Sequence, residues 1–297
     1  MFVSNEYIDC VVTESDLFIN EIESLFYEIA MEEEVAKNNT QVSQDESGMI
    51  DKMIKIIKDI ITKLNGMIQM NFLKFKNYLA KIAQSDNGFK SSFKEAFVKK
   101  KPMEGIKLIS YDYNPQLLDT ELARVNKAVF GLFSNMQNKT SYTALSDPNT
   151  ANDMDRTPDE IFQSIFKKLN CPPDVKDLST YFLCIKNKYR SNKREILFTA
   201  SKTQEYYAIT QSHAKLMEKI NKSQTLVANQ VAVLKSNLHN TIQNKQVRPE
   251  VKKRAVKQCK NLSAILNFFI RFVDIYMQLQ LERLFTYRTV LKRLYDF

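Results

Sequence analysis

Four groupings in this 297-residue chain have residue types and spacings that could do chemistry. The first is acidic. Asp153, Asp155, Thr157 and Asp159 stand at the alternate-residue spacing of a calcium loop, with Asp147 and Glu160 beside them. Calcium needs a glycine at the sharp turn and a bidentate glutamate to close the loop. Pro158 and Ser164 occupy those two places, so the acids read as helix caps and loop solvation. The second grouping could bind zinc or make a nucleophile–base pair. It consists of His213, His239 and the cysteines Cys10, Cys171, Cys184 and Cys259. None of them forms a CxxC or a pair one helical turn apart, and neither zinc nor a disulfide framework is expected. His213 falls on an apolar seam and reads as a hydrogen-bonded core residue.

The third grouping is basic. Lys186, Lys188, Arg190, Lys193 and Arg194 crowd around Tyr189, and Lys245, Arg248, Lys252, Lys253, Arg254, Lys257 and Lys260 crowd a second stretch. Cations neutralise phosphates and an interleaved tyrosine can stack on a base. Charge runs also simply solvate helix ends, which is the reading preferred here. The fourth grouping is an acidic arm. Residues 1–36 hold ten of the 34 acidic groups and none of the 43 basic ones, among them Glu14, Asp16, Glu21, Glu23, Glu28, Glu32, Glu33 and Glu34. The remaining residues carry 43 basic groups against 24 acidic ones, so the net +9 resolves into a −10 arm on a +19 body. Such an arm repels nucleic acid; it either folds back on its own basic body or meets the complementary sign on a second copy of the chain.

No loop for catalysis or nucleotide binding is legible. All five glycines lie at or before Gly131, and neither GxGxxG nor GxxxxGK[ST] occurs. Glycine supplies the positive-φ turns on which those loops depend. No cofactor, metal or small-molecule substrate is expected, and no enzyme activity.

The elements that would position these groups are mostly rods. Residues 2–12 suit a strand or extended arm and 14–36 a helix, followed by a polar linker at 37–48. Over 49–84 the residues Ile50, Ile54, Ile57, Ile61, Leu64, Ile68, Phe75, Leu79 and Ile82 keep a heptad-like step. Ser85 to Gly88 should end that helix, and Phe89, Phe93 and Phe97 stripe a short one after it. Strands are expected at 106–113 and 194–200, pairing into a small sheet. Helices are expected at 116–137, from Thr157-Pro158 to about 170, and at 174–189. Two long helices, 202–245 and 249–295, close the chain as an antiparallel hairpin. The whole reads as mainly α: an elongated helical bundle with a long C-terminal hairpin and at most a two-stranded β element. By composition it divides into 1–47, 48–137, 138–200 and 201–297.

The most apolar window, 262–281, is greasy nearly all round, with Phe268, Phe269, Phe272 and Tyr276 in its middle. Several helices of the chain enclose it, or other subunits do. Asn267, Arg271 and Asp274 argue against a transmembrane span, and the N-terminus lacks the basic start of a secretory signal. The Lys-flanked 49–84 stripe also fits an interfacial membrane helix, but packing against protein explains it without lipid.

Lysine (33) far exceeds arginine (10) and asparagine (24) is abundant, as in products of AT-rich genomes. With the acidic first helix, the run MIDKMIKIIKDIITKL, the strand IKLISYDYN and the glycine-free hairpin, the chain resembles virion-associated helical proteins of phages of AT-rich bacteria. That resemblance implies a structural component of a particle, in the virion or the host cytoplasm, associating with itself and with other particle proteins. The expectation is a non-enzymatic assembly protein whose acidic arm docks on a neighbour's basic body, with Phe268, Phe269, Phe272 and Tyr276 as shared apolar surface. The alternative is a binder of nucleic acid or membrane surfaces through 186–194 and 245–260.

Overall fold

The computed structural model describes residues 45–147, 158–243 and 248–297. The expected strand at 2–12 and helix at 14–36 lie outside them. The chain is mainly helical, with a two-stranded antiparallel sheet and a long C-terminal helical hairpin. In order the elements are α1 (Asp45–Lys99), β1 (Gly105–Tyr113), α2 (Pro115–Lys139), α3 (Tyr142–Ser146), α4 (Pro158–Lys168), α5 (Leu178–Tyr189), β2 (Arg190–Thr199), α6 (Thr203–Thr210), α7 (His213–Gln243) and α8 (Pro249–Tyr295). They fall into two compact units. Of the described residues, unit one takes 45–71, 125–147, 158–172, 225–243 and 248–271; unit two takes 72–124, 173–224 and 272–297.

Two long elements depart from expectation. α1 does not stop at Gly88 but continues to Lys99. A glycine in a helix interior costs about 1 kcal/mol relative to alanine, which tertiary packing readily offsets. Here Phe89, Phe93 and Ala96 are buried just beyond it, and Lys90 reaches back one turn to Asp86 at 2.6 Å. The helix expected over 202–245 is instead broken between α6 and α7. Thr210 Oγ1 donates to the Tyr207 carbonyl at 2.7 Å and Ser212 Oγ to that of Ile209 at 2.7 Å. Hydroxyls that bond three residues back compete with the helical ladder and bend it. The apolar step that the sequence predicts here, Tyr206, Thr210, His213, Met217, Ile220, Gln224 and Val227 onward, shifts after the break: Leu216 is buried and Met217 only half-buried. Ile220, Val227, Val231, Leu234 and Leu238 are buried as expected, with Ser223 buried in place of the expected Gln224.

The remaining boundaries have local causes. Asp177 caps α5 through the Thr180 N–H at 2.8 Å, and that bond holds its carboxyl below the ordinary range. α4 places Asp159 and Glu160 in its first turn and Lys167 and Lys168 in its last, matching the helix dipole. It ends at Asn170, whose φ of 49° is the left-handed cap conformation asparagine tolerates, while the Cys171 N–H returns to the Phe166 carbonyl at 3.0 Å.

In unit one, Phe133, Ile165, Leu234, Leu238, Leu266 and Phe268 are fully buried, and Phe166 meets Phe268 edge-on. Arg254 satisfies the last carbonyls of α3, donating to Leu145 O at 2.7 Å and Asp147 O at 3.0 Å. In unit two the core is aromatic. Phe93 contacts the rings of Phe89, Phe97, Tyr207, Tyr295 and Phe297, and the inner face of the sheet (Ile106, Leu108, Ile196, Phe198) packs against the same cluster.

Candidate interaction surfaces

The sheet of unit two carries one basic cluster. β1 and β2 pair from Gly105↔Thr199 to Tyr113↔Arg190. Between Ser110 and Asp112 the register slips, so Asn192 and Lys193 together oppose Tyr111. Asn192 adopts φ 50°, a conformation asparagine accepts at little cost. Such bulges re-aim side chains. Here the slip sets the Lys193 ammonium 5.8 Å from the centre of the Tyr111 ring, with the Arg190 guanidinium at 5.1 Å.

Not all of that cluster's charge is available. Arg190 is paired with Glu282 at 2.7 Å and Arg194 with Asp112 at 3.1 Å. Lys186 is half-buried, and Lys188 and Lys193 are exposed. The second cluster is spent further. Lys252 is buried and Arg254 is bonded to α3, so neither presents a cation to a partner; this corrects the expected surface at 252–254. The side chain of Lys253, like Lys245 and the acidic residues Glu14, Asp16, Glu21, Glu23, Glu28, Glu32, Glu33 and Glu34, lies outside the described residues.

The apolar surface needs a larger correction. Phe268, Phe269, Phe272 and Tyr276 are 0%, 3%, 0% and 1% exposed, enclosed by their own chain. α8 contains a window long and apolar enough to cross a membrane by composition alone, and 78% of that window is buried within the molecule. A helix that is greasy all round marks burial, and periodicity alone does not reveal by whom. Intrachain helices answer that question, so these residues cannot be a face shared between copies.

What is exposed and apolar lies elsewhere. On the outer face of the sheet Ile109 is 73% exposed and Leu197 59%. Lys107 and Glu195 complete the block, paired across it at 3.1 Å. Ile109 and Leu197 are therefore diagonal neighbours on one face. In a two-stranded sheet each strand also has a second edge, and edges of that kind invite pairing with another chain.

Sequence reading missed a third arrangement, a set of phenol–carboxylate contacts in unit two. Glu282 accepts from Arg190 at 2.7 Å and from the Tyr113 hydroxyl at 3.3 Å. Asp119 accepts from Tyr276 at 2.8 Å and Lys219 at 2.7 Å, and Glu121 accepts from Tyr181 at 2.9 Å. Burial pushes the Tyr113 phenol up to about 12, and it raises Tyr189, Tyr276 and Tyr287 as well. Phenols held neutral in this way are not acids or nucleophiles near neutral pH; Tyr113 and Tyr276 act as donors that fix geometry, while the buried Tyr189 hydroxyl has no partner among the described residues. The partners stand 60 to 169 residues apart, and no local pattern could have announced them.

No protein family, curated protein or solved structure matches this chain.

Proposed function

We propose that the protein is a non-enzymatic assembly component of a particle, of the phage virion kind it resembles, and that it associates with itself through unit two. The outer sheet face with Ile109 and Leu197 replaces the buried 262–281 stretch as the docking surface. Its occupant is the acidic arm of a second copy. The observation that carries this reading is the exposure of those two side chains on a face that also holds Lys107 and, at its bulged end, Lys193, in a chain whose first 36 residues hold ten acids and no base. Large apolar side chains grouped on a surface mark interaction sites far more often than scattered ones do. Opposite charge sets the direction of docking and makes it salt-dependent. Head-to-tail contacts of this kind close into rings or extend into filaments.

Light scattering on the full chain across a salt series tests it. The mass should exceed that of one chain at low salt and fall as salt rises, and the double variant Ile109→Asp/Leu197→Asp should stay at one chain throughout. A solitary wild-type protein at low salt and high concentration overturns the proposal. Glu32→Lys/Glu33→Lys/Glu34→Lys should weaken association if the arm is the occupant; an unchanged mass rejects that part.

One observation favours the nucleic-acid alternative, namely the Tyr111 ring with the Arg190 and Lys193 cations over it at 5.1 Å and 5.8 Å. Such a ring can stack on a base while cations track the phosphates. The pairing of Arg190 and Arg194 with carboxylates weighs against it. Lys193→Glu should abolish salt-dependent binding of single-stranded DNA if that alternative holds.

A further inference from the structure

Unit one contains a cleft of about 590 Å³ that none of the surfaces above involves. Three helices line it with side chains spaced at one and two helical turns: α2 from Leu132 to Lys139, α4 from Ile161 to Lys168, and α8 from Gln258 to Ile265. Its volume lies within the range of small-ligand sites. Met136, Ile161 and Ile265 make part of the wall apolar.

The polar part of the wall is unusual for a core. Gln258 and Asn261, one turn apart on α8, are 2% and 7% exposed, which is a high degree of burial for two amides that line a cleft. Asn261 Oδ1 in particular is buried and unbonded. A buried carbonyl left without a partner is costly, and native chains leave few of them. Two lysines in succession, Lys167 and Lys168, line the same cleft without an ion pair among the described residues. The Lys168 ammonium lies against α2 at Gly131, 3.6 Å from where a side-chain carbon would begin there. The C-terminal dipole of α4 explains cations at those positions. It does not explain why they share a cleft with two buried amides, one of them with an unbonded oxygen.

We propose that this cleft binds a small nucleoside phosphate. A heterocycle presents a donor–acceptor edge of the kind that a glutamine or asparagine amide matches, and its flat faces suit apolar walls. The phosphate would meet Lys167 and Lys168, which bind it as point charges. An acyl anion would satisfy the lysines and leave both amides unpaired, so the amides select the heterocycle. The chain read as a sequence predicts no small-molecule ligand, because no glycine-rich loop is present. A cleft built from three helices needs none.

Isothermal titration calorimetry of the full chain tests this, with adenosine monophosphate, cytidine monophosphate, inorganic phosphate and decanoate as separate probes. Saturable one-to-one binding of at least one nucleotide is expected, with inorganic phosphate and decanoate weaker. Lys168→Gln and Asn261→Leu should each weaken nucleotide binding about tenfold or more. Lys215→Gln, at an exposed site on α7, should leave it unchanged. Asn261→Leu removes an unbonded acceptor, so its thermal midpoint should hold or rise, which separates lost binding from lost folding. Absence of saturable binding by both nucleotides overturns the proposal, as does equal affinity in Lys168→Gln. Tighter binding of decanoate, unaffected by Asn261→Leu, overturns the ligand class.

Discussion

In unit two, several buried polar groups meet partners from distant parts of the chain: Tyr181 meets Glu121, Tyr276 meets Asp119 and Arg288 meets Asp86, while the buried Tyr189 hydroxyl and Arg288 Nε have no partner among the described residues. In unit one the buried Asn261 Oδ1 has no partner among the described residues, and the core around it is largely aliphatic. The first arrangement depends on register between elements and should suffer sharply when one partner is removed. The second depends on volume. It should tolerate swaps that conserve volume, and it leaves hydrogen-bonding capacity unused.

The contrast can be measured with one probe. The chain has no tryptophan, and ten of its 13 tyrosines fall in unit two, so intrinsic fluorescence during denaturation reports mainly on that unit. The largest effect is expected from Phe93→Ala, which removes the ring that five other aromatics touch. The expected loss is about 3–5 kcal/mol. Leu266→Met, at a fully buried site in unit one, should cost less than about 1.5 kcal/mol. Comparable losses at both sites would erase the distinction.

Next in size is Arg288→Met. Arg288 bonds Asp86 at 2.6 Å where both side chains are almost wholly enclosed, and its guanidinium also lies over Phe89 at 5.0 Å. Removing one member of a buried pair strands the other charge, at a cost of about 3 kcal/mol. Lys90 remains beside Asp86, which keeps the loss at the low end. Asp86→Leu added to Arg288→Met should recover much of it. If the double variant is as unstable as the single one, the stranded charge is not the cause.

Alkaline pH should separate the units without mutation. The tyrosines with raised phenols, Tyr113, Tyr189, Tyr276 and Tyr287, all belong to unit two, and burial is the leading cause in each. A free phenol titrates near about 10, so between there and the folded value the unfolded chain has released protons that the native one retains. This stabilisation is complete below about pH 10 and is lost as pH rises through the Tyr113 value of about 12. Hydrogen exchange followed by mass spectrometry should show unit two opening first over that window. Earlier opening of unit one would contradict the assignment.

The sequence made the helices, the strand pair and the hairpin legible, because each rests on local periodicity: Ile220 to Leu238 on a seam, or Ile106 to Tyr113 in alternation. The candidate surfaces were less legible. Phe268 and Phe272 looked shareable because a helix apolar all round says that it is covered, not by what. Lys252 and Arg254 looked like surface cations because a lysine run does not reveal the carbonyls of Leu145 and Asp147 waiting for one of its members. The cleft of unit one was invisible, since Asn261, Lys168 and Met136 come together only through tertiary packing.

The smallest expected effect concerns the glycine that sequence reasoning took for a helix end. Gly88 lies inside α1 without a positive φ, exposed, and no atom stands within 4 Å of where a side-chain carbon would go. Gly88→Ala should therefore stabilise by about 0.5–1 kcal/mol, chiefly by reducing the freedom of the unfolded chain. Gly131→Ala in unit one should act similarly, its nearest neighbour being the movable Lys168 ammonium at 3.6 Å. Gly105→Ala in β1 should do the opposite. Its added carbon would stand 3.1 Å from Leu197 Cδ1 and 3.3 Å from the Phe198 carbonyl, and that backbone oxygen is held in the sheet. Denaturation midpoints decide the matter by sign alone. A destabilising Gly88→Ala would mean that the chain turns there in a left-handed conformation, dividing α1 where the sequence suggested.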